Sequence, residues 1–213
     1  NLIGDPIFVE VPALELLSID RASCWRDRID AGEVFQVPRW QAEESQDTTH
    51  VSVVDSQGNV MGLTHSLGSG SDVVTEGLGF MYNNCMNCFN PVPGEVNSIE
   101  PGKSRTTGMA PTLVKIDDKP YFSVGAPGGT RIITGILHAI LNVLDHSMSA
   151  IEAIAAPRFD SQGEVVVAHA RFTPSVCRQV RTMGLEINRT LASYGGIASV
   201  HGIRIDPETN ALD

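Results

Sequence analysis

Residues 45–55 read SQDTTHVSVVD, and the change in character at Thr48 decides how the rest of the chain is interpreted. Before Thr48 the residues are polar and acidic without periodicity, whereas apolar and polar residues alternate from Thr48 onward. Alternation with a period of two predicts a β-strand. A second alternating run covers residues 60–67, and the Ser56-Gln57-Gly58-Asn59 segment between the two runs has the composition of a turn. Together they predict a β-hairpin.

The predicted hairpin brings two hydroxyl side chains together. With the turn centred on Gln57, Thr48 lies opposite Ser66, since both are nine positions from the centre. Directly opposed residues of an antiparallel pair have Cβ atoms ~5 Å apart. A slip of one residue would destroy this pairing. The prediction therefore depends on the register.

A threonine hydroxyl becomes a nucleophile when a base accepts its proton. The α-amine of an N-terminal threonine, with an ordinary pKa of about 7.7–8.0, is such a base. Cleavage between Asp47 and Thr48 would create that amine: the Thr48 hydroxyl attacks the Asp47 carbonyl, and water hydrolyses the resulting ester. In the alternative interpretation the Thr48-Thr49 pair simply starts an edge strand, because threonine favours strands.

A glycine-rich segment, Gly125-Ala126-Pro127-Gly128-Gly129-Thr130-Arg131, follows one predicted strand and opens a long predicted helix. Glycines there let backbone N–H groups approach a ligand at the positive end of the helix dipole. Such a pair of N–H groups suits the oxyanion of an amide-cleaving intermediate. It also suits a phosphate, and Gly-Pro clusters commonly form tight turns with no ligand at all.

Periodicity and punctuation residues predict the remaining elements and an α+β fold class. Helical spacing covers residues 1–30, and residues 31–47 read as a loop or frayed acidic segment. The predicted helices are Thr130–His146, Ser149–Ala156 and Pro174–Met183. The further predicted strands are Gly79–Asn83, Thr112–Ile116, Tyr121–Val124, Glu164–Ala168, Glu186–Asn188 and Ala198–Ile205.

The overall composition excludes several classes of partner. The chain has 213 residues, a formal net charge of −10, 42% hydrophobic and 19% charged residues, which is typical of a globular protein. The negative charge argues against nucleic acids and anionic membranes, and no apolar run approaches the roughly 20 residues that span a bilayer. Asn1 is not a methionine, so we interpret it as an internal position and expect no evidence on export from this sequence.

Cysteine and histidine residues give weaker signals. Four cysteines are too few for a disulfide scaffold. Cys85 and Cys88 form a C-x-x-C pair without further ligands at zinc spacing and without the strand-to-helix context of a redox motif. We interpret both as small packing residues, with a disulfide between them as the alternative. A Ser66–His65 pair cannot form a catalytic dyad, because adjacent strand residues point to opposite faces.

Taken together, these blocks resemble the γ-glutamyltranspeptidase family. Thr48-Thr49-His50 with Ser52–Asp55, the Gly58-Asn59 turn, Asn83-Asn84, Met109–Thr112 and Gly125–Ile132 look like its small subunit. Gly4-Asp5-Pro6 and Val11–Ser18 are similar to the end of its large subunit. The resemblance covers essentially the whole chain. It implies an N-terminal-nucleophile hydrolase fold of αββα type, in which two stacked antiparallel sheets lie between helix layers and only part of the fold is present here.

The resemblance implies a role for each matching position. Thr48 would be the nucleophile and its amine the base, after cleavage of the Asp47–Thr48 bond. Ser66, where the family usually has threonine, would hydrogen-bond to Thr48. Gly128 and Gly129 would supply the oxyanion N–H groups.

Positions that read the substrate in the family depart from its pattern here. Gly68 stands where the family has asparagine, and Cys88 stands where it has a carboxylate that binds the glutamyl α-amine. Thr107-Gly108 replaces a Ser-Ser pair that grips the α-carboxylate, and Cys85 lies in the same pocket wall. Without a carboxylate partner an ammonium group binds poorly. Donors without the amine, such as glutaryl side chains or polyglutamate, are therefore alternatives to γ-glutamyl compounds. A separate alternative is that the protein is a family member that binds a ligand without catalysing a reaction.

The resemblance also implies the organisation and partners of the protein. Residues 1–47 would end the large subunit, as a helical part followed by a flexible acidic tail, and residues 48–213 would form the small-subunit catalytic segment. The partners would be a γ-glutamyl or related acyl-amide substrate, the remainder of the large subunit and, as a further option, a second processed heterodimer. No cofactor and no metal are expected. Family members occur both outside the cytoplasm and within it, so the compartment is left open.

Overall fold

The computed structural model describes residues 2–35, 47–163, 165–194 and 196–213. In this part of the chain the helices are α1 (Ala13–Leu16), α2 (Ile19–Asp30), α3 (Ile132–Leu144), α4 (Ala150–Ala155) and α5 (Pro174–Thr182). The strands are β1 (Thr48–Val54), β2 (Val60–Ser66), β3 (Thr112–Ile116), β4 (Lys119–Gly125), β5 (Phe159–Ser161), β6 (Val165–Ala168), β7 (Glu186–Arg189) and β8 (His201–Arg204). Single 3₁₀ turns cover Met86–Cys88 and Gly129–Arg131.

The β1–β2 hairpin has the register that the sequence predicts. Thr48 pairs with Ser66, and the antiparallel ladder continues without a bulge to Val54 opposite Val60. Asp55 closes the turn, since its Oδ1 accepts hydrogen bonds from the N–H groups of Gln57 (2.8 Å) and Asn59 (2.9 Å). A carboxylate that bonds to the backbone two residues ahead favours a tight turn. The turn therefore fixes the register of the hairpin at the end opposite the Thr48–Ser66 pair.

The hairpin stacks on a second sheet, with strand order β3-β4-β8, in which all pairs are antiparallel. Strand β4 is buried on both faces. Phe122, Val124 and Ala126 are fully buried on one face and pack with α3 and α4, whereas Ser123 and Gly125 point toward the hairpin. This alternation follows from the period of two along a strand. The order of layers is hairpin, sheet, helices, in agreement with the α+β prediction.

A third sheet carries the order β5-β6-β7, in which β5–β6 is antiparallel and β6–β7 is parallel. Helix α5 makes the crossover that a parallel pair requires. It begins where predicted, with Thr173 as N-cap accepting a hydrogen bond from the Val176 N–H and Pro174 at the first helical position. Cys177 is buried in the small core beneath this helix.

Several predicted elements differ from the structure. Gly79–Asn83 forms no strand: the pairing nearby is limited, among described residues, to isolated bridges such as Val74–Met81, and Gly79 has a left-handed φ of 71°. Of the predicted strand Ala198–Ile205, only β8 forms a strand, and Ala198 at its predicted start also has a left-handed φ, of 44°. Strand β5 was not predicted.

Further outcomes concern the start of one helix, the predicted acidic loop and the length of the helices. Helix α3 starts at Ile132, two residues later than predicted, because the 3₁₀ turn precedes it. Most of the predicted acidic loop, residues 36–46, lies outside the described residues. No helix in the described part of the chain is both long and apolar enough to cross a bilayer.

Gly135 generates a prediction about the packing of α3. Replacing a helical glycine by alanine usually stabilises by about 1 kcal/mol. A Cβ on Gly135 would instead lie 2.7 Å from the Ala198 Cβ. We therefore expect Gly135→Ala to lower the free energy of unfolding by about 1–3 kcal/mol through overpacking, as measured by urea denaturation of the full-length protein.

The matched control is the double variant Gly135→Ala/Ala198→Gly. It removes the opposing methyl group and the left-handed strain at Ala198 together, so it should recover most of the lost stability. Equal stability of Gly135→Ala and wild type would contradict the close contact.

Candidate active site

Thr48 and Ser66 meet at the open end of the β1–β2 hairpin. Their hydroxyl oxygens, Thr48 Oγ1 and Ser66 Oγ, are 2.8 Å apart, and both side chains are half-buried. Ser66 Oγ also accepts a hydrogen bond from the Gly68 N–H at 3.0 Å. Because that N–H donates to a lone pair of Ser66 Oγ, the hydrogen of the Ser66 hydroxyl can point toward Thr48 Oγ1 and donate to it. Such a bond stabilises charge that develops on the threonine oxygen.

The peptide bond before Thr48 is held by the same hairpin. The Asp47 carbonyl oxygen accepts a hydrogen bond from the Leu67 N–H, at 3.3 Å. This bond extends the ladder by one step beyond Ser66. It polarises the carbonyl that the Thr48 hydroxyl would have to attack, and the sequence alone gave no sign of it.

His50 lies two residues after Thr48 on the same face of β1 and is only 4% exposed. Its Nδ1 lies 2.8 Å from Thr64 Oγ1 and its Nε2 lies 3.0 Å from Ser52 Oγ. Ser52 Oγ in turn lies 2.9 Å from Ser123 Oγ, on β4. Burial, followed by the nearby His201, lowers the pKa of His50 below its ordinary value, so the ring is neutral at neutral pH.

The segment Gly125–Arg131, termed the glycine loop below, turns from β4 into α3. Gly128 has a φ of 144°, and a Cβ there would lie 2.6 Å from the Ala198 Cα, so only glycine fits. The Ser199 N–H donates to the Pro127 carbonyl at 2.9 Å and fixes the loop from behind. Neither the Gly128 nor the Gly129 N–H donates a hydrogen bond to another described residue. Both remain available to a ligand, at the positive end of α3.

The predicted substrate positions lie around these two elements. A Cβ on Gly68, whose φ is 73°, would lie 3.0 Å from Cys85 Sγ, so Cys85 packs directly beside the Ser66–Gly68 turn. On the other side, a Cβ on Gly108 would lie 3.1 Å from the Gly129 carbonyl oxygen. Thr107 and Cys88 are more exposed. The structure therefore brings Gly68, Cys85 and Gly108 against the Thr48–Ser66 pair and the glycine loop and places Thr107 and Cys88 at more exposed positions.

Asn97 connects the outer positions and was not predicted. Its buried amide donates to the Cys88 carbonyl at 2.7 Å and to Thr106 Oγ1 at 3.0 Å, and its Oδ1 accepts from the Thr106 N–H. Asp5 holds the adjacent segment of the pocket, since its Oδ2 accepts a hydrogen bond from the Ser104 N–H at 2.7 Å. That hydrogen bond, followed by the one from Ile7, holds the pKa of Asp5 below its ordinary value.

A cavity of about 440 Å³ opens between these segments. It is lined by polar, apolar and cationic side chains, among them Asn83, Cys85, Phe89, Lys103, Arg105 and Thr107. Lys103 Nζ lies 3.0 Å from Glu100 Oε1, whereas Arg105 forms no ion pair with another described residue. A second cavity of about 430 Å³ lies at the opposite end of the hairpin and contains none of the predicted site residues.

The described residues hold no group of three or more His, Cys, Asp or Glu side chains placed to bind a metal ion. The four cysteines are free thiols, so the pair Cys85 and Cys88 is not a disulfide here. Cys85 is buried and lines the cavity, as expected of a packing residue, whereas Cys88 is exposed.

Comparison with known proteins agrees with this geometry. The sequence model of a family described as Gamma-glutamyltranspeptidase matches residues 1–212. An acylase ACY 1 proenzyme from Pseudomonas sp. (strain V22) is 37% identical in an alignment 203 positions long, which covers 92% of this chain and 36% of that protein. A glutathione hydrolase proenzyme from Escherichia coli (strain K12) is 30% identical in an alignment 225 positions long, gaps included, which covers 97% of this chain and 38% of that protein. This chain thus spans just over a third of the length of either relative.

A solved structure gives the same result for the fold. The T380A mutant of Helicobacter pylori gamma-glutamyltranspeptidase superposes with a TM-score of 0.70 at 33% identity, covering 78% of this chain and 95% of that one. The predicted fold class, an α+β N-terminal-nucleophile hydrolase sandwich, is thereby confirmed.

The buried His50 predicts a pH dependence of stability. Because its pKa is lowered in the folded protein, the unfolded chain binds this proton more tightly. The free energy of unfolding should therefore be highest above the ordinary value of 6.5 and fall as the pH drops below it. Denaturation curves at pH 7.5 and 5.5 should show a smaller drop for His50→Asn than for wild type. His146→Asn, which removes an exposed histidine, is the control, and an unchanged drop in His50→Asn would refute the expectation.

Proposed function

The chain belongs to the gamma-glutamyltranspeptidase family, and we propose that it forms part of a self-processing amide hydrolase and acyltransferase with Thr48 as nucleophile. The observation that carries this proposal is the 2.8 Å contact between the Thr48 and Ser66 hydroxyls at the first residue of a strand. The names of the two relatives, an acylase and a glutathione hydrolase, support amide cleavage as the reaction.

Self-processing comes first in the proposed sequence of events. The Thr48 hydroxyl attacks the Asp47 carbonyl, whose oxygen is polarised by the Leu67 N–H. The peptide nitrogen leaves as the Thr48 amine, and the acyl group of Asp47 passes to Oγ1 as an ester. Water hydrolyses this ester. Residues 1–47 then end one subunit, and residues 48–213 begin another with a free threonine.

Catalysis uses the amine that processing creates. The Thr48 amine accepts the hydroxyl proton while Oγ1 attacks the carbonyl carbon of the substrate amide. The N–H groups of Gly128 and Gly129 stabilise the oxyanion. The amine then returns the proton to the leaving nitrogen, and an acyl ester on Thr48 remains. Water or a second amine takes the acyl group and restores the enzyme.

The acyl donor is proposed to be a γ-glutamyl compound or a related acyl amide. The partners are therefore this substrate and the remainder of the large subunit, with a homodimer of processed heterodimers as a further proposal. In this proposal Gly68, Cys85, Cys88, Thr107 and Gly108 surround the acyl group, and of these five residues Cys85 and Thr107 line the cavity of about 440 Å³.

A second candidate is an acylase for donors that carry a carboxylate but no α-amine, such as glutaryl amides. The observation that favours it is the charge of the pocket. Cys88 supplies no anion for an ammonium group, and Arg105, which lines the cavity, forms no ion pair with another described residue, whereas Lys103 is paired with Glu100. A cationic wall favours a carboxylate and disfavours an ammonium.

The nucleophile provides a direct test. Mass spectrometry of the full-length wild-type protein should reveal a free N-terminus at Thr48. Thr48→Ala should remain a single chain without turnover, and Thr48→Ser should process and retain part of the activity because serine keeps the hydroxyl. An uncut wild type with no turnover would instead support a protein of this family that only binds.

The pocket provides a second test. Turnover of γ-glutamyl and glutaryl anilides is compared for wild type, Cys88→Asp and Arg105→Ala. Cys88→Asp should raise kcat/KM for the γ-glutamyl anilide relative to the glutaryl one by about 10-fold or more, because it restores a partner for the ammonium. Arg105→Ala should mainly lower kcat/KM for the glutaryl anilide.

The two substrates also separate the two candidates. A wild type that cleaves the γ-glutamyl anilide favours the transpeptidase, and one that cleaves only the glutaryl anilide favours the acylase. Identical ratios in all three proteins would show that neither Cys88 nor Arg105 reads the donor.

A further inference from the structure

We propose that His50 is a positioning residue whose imidazole ring sets the spacing between the nucleophile strand β1 and the glycine loop. The inference rests on the proposed function, because the groups that it positions are Thr48 and the N–H groups of Gly128 and Gly129. It assigns His50 no part in proton transfer.

The first argument is direct contact. A Cβ on Gly125 would lie 2.2 Å from His50 Nδ1, 2.3 Å from Cε1 and 2.6 Å from Cγ. The ring therefore lies flush against the backbone at Gly125, the last residue of β4 and the first of the glycine loop. Any side chain at this position would push the loop away from β1. The ring is a rigid spacer between the two halves of the site.

The second argument is that the ring cannot rotate freely. Thr64, on β2, holds Nδ1, and Ser52, on β1, holds Nε2. Ser52 also bonds Ser123 on β4, so the hydrogen-bonded row runs from the hairpin into the second sheet. Each hydroxyl can donate or accept, so one neutral tautomer satisfies both nitrogens. A buried network with all members satisfied rigidifies its surroundings.

The third argument is the position of His50 along the strand. Thr48, His50 and Ser52 share one face of β1, which is the face toward the second sheet. The ring thus lies on the same face of β1 as the Thr48 side chain, two residues further along the strand. Among the described residues His50 forms no hydrogen bond with Thr48 or Ser66, so it acts through the backbone of its own strand and that of Gly125.

The spacing between β1 and the glycine loop matters because the reaction needs groups from both of them at the same time. Oγ1 of Thr48 must reach the carbonyl carbon while the glycine N–H groups reach the carbonyl oxygen. A misplacement of about 1 Å costs on the order of 100-fold in rate. Such a loss falls on kcat, because the oxyanion forms only after the substrate has bound.

The experiment is a double-mutant cycle in the full-length processed protein, with His50→Ser, Gly125→Ala and the combination. His50→Ser removes the ring, and Gly125→Ala adds a methyl group into the space that the ring fills. Rates are normalised to the free Thr48 N-termini, and circular dichroism checks folding. His146→Asn, an exposed histidine, is the control.

We expect each single variant to lose about 10- to 100-fold in kcat, with KM changed less than about 3-fold. In the His50→Ser background, Gly125→Ala should cost little more, because the clash is gone. A boronic acid analogue of the acyl group forms a tetrahedral adduct with Thr48. Its affinity should fall in parallel with kcat, while that of the carboxylic acid product should not.

Three results would overturn the inference: an unchanged kcat in both single variants, additive losses in the double variant, or an equal loss of affinity for the boronic acid and the product. If His50→Ser does not fold, the kcat of Gly125→Ala and its affinity for the boronic acid decide the inference without it. An inactive wild type overturns the proposed function and this inference with it. An active wild type with unaffected variants overturns this inference alone.

Discussion

The register of the β1–β2 hairpin is the constraint on which the site depends. Only one alignment of the two strands places Thr48 Oγ1 at 2.8 Å from Ser66 Oγ. A slip of one residue would turn one of the hydroxyls to the opposite face. The turn at Asp55 holds this register at one end, and the Leu67–Asp47 hydrogen bond extends it at the other. The same ladder that aligns the hydroxyl pair also presents the Asp47 carbonyl.

Close approach of backbones positions the second half of the site. The glycine loop is in contact with the His50 ring at Gly125 and with Ala198 at Gly128. Ala198 is itself held, because the buried guanidinium of Arg158 donates to the carbonyls of Ile197 and Ala198. Burial holds the pKa of this arginine below its ordinary value, and three carbonyl acceptors compensate for its loss of water. The loop is therefore supported from two sides by groups distant in sequence.

The proposed catalytic groups and the proposed substrate-reading residues obey different constraints. Hydroxyls and backbone N–H groups break an amide whatever its acyl group, so they need geometry alone. In the proposed function, recognition of the acyl group depends on charge, and Cys88 offers none at the position where the family resemblance implies a carboxylate. Asn97 nevertheless ties Cys88 to the Thr106 segment, so the pocket keeps its shape while its chemistry differs. Because Asn97 holds the backbone carbonyl of Cys88, a substitution of the Cys88 side chain leaves this hydrogen bond in place.

Local rules in the sequence determined the elements whose causes are local. The alternation from Thr48 and the turn at residues 56–59 gave the hairpin and its register, and the capping residues Ser149 and Thr173 gave the starts of α4 and α5. The predicted strand Gly79–Asn83 was wrong, because β-propensity could not reveal that the segment lacks a continuous partner strand. Residue chemistry marked the glycine loop as an oxyanion site, a phosphate site or a plain turn, and the resemblance implied the oxyanion role and the pocket positions.

Tertiary structure decided the contacts between residues far apart along the chain. The pairing of His50 with Gly125, of Ala198 with Gly128 and of Ser52 with Ser123 joins positions about 70 residues apart, as the Ser52–Ser123 separation of 71 illustrates. No periodicity encodes such contacts, since they arise only when two sheets pack face to face. The sequence by itself thus determined which hydroxyls lie together at the end of the hairpin. Packing decided where the glycine loop lies relative to them, because that distance depends on the size of side chains from both sheets.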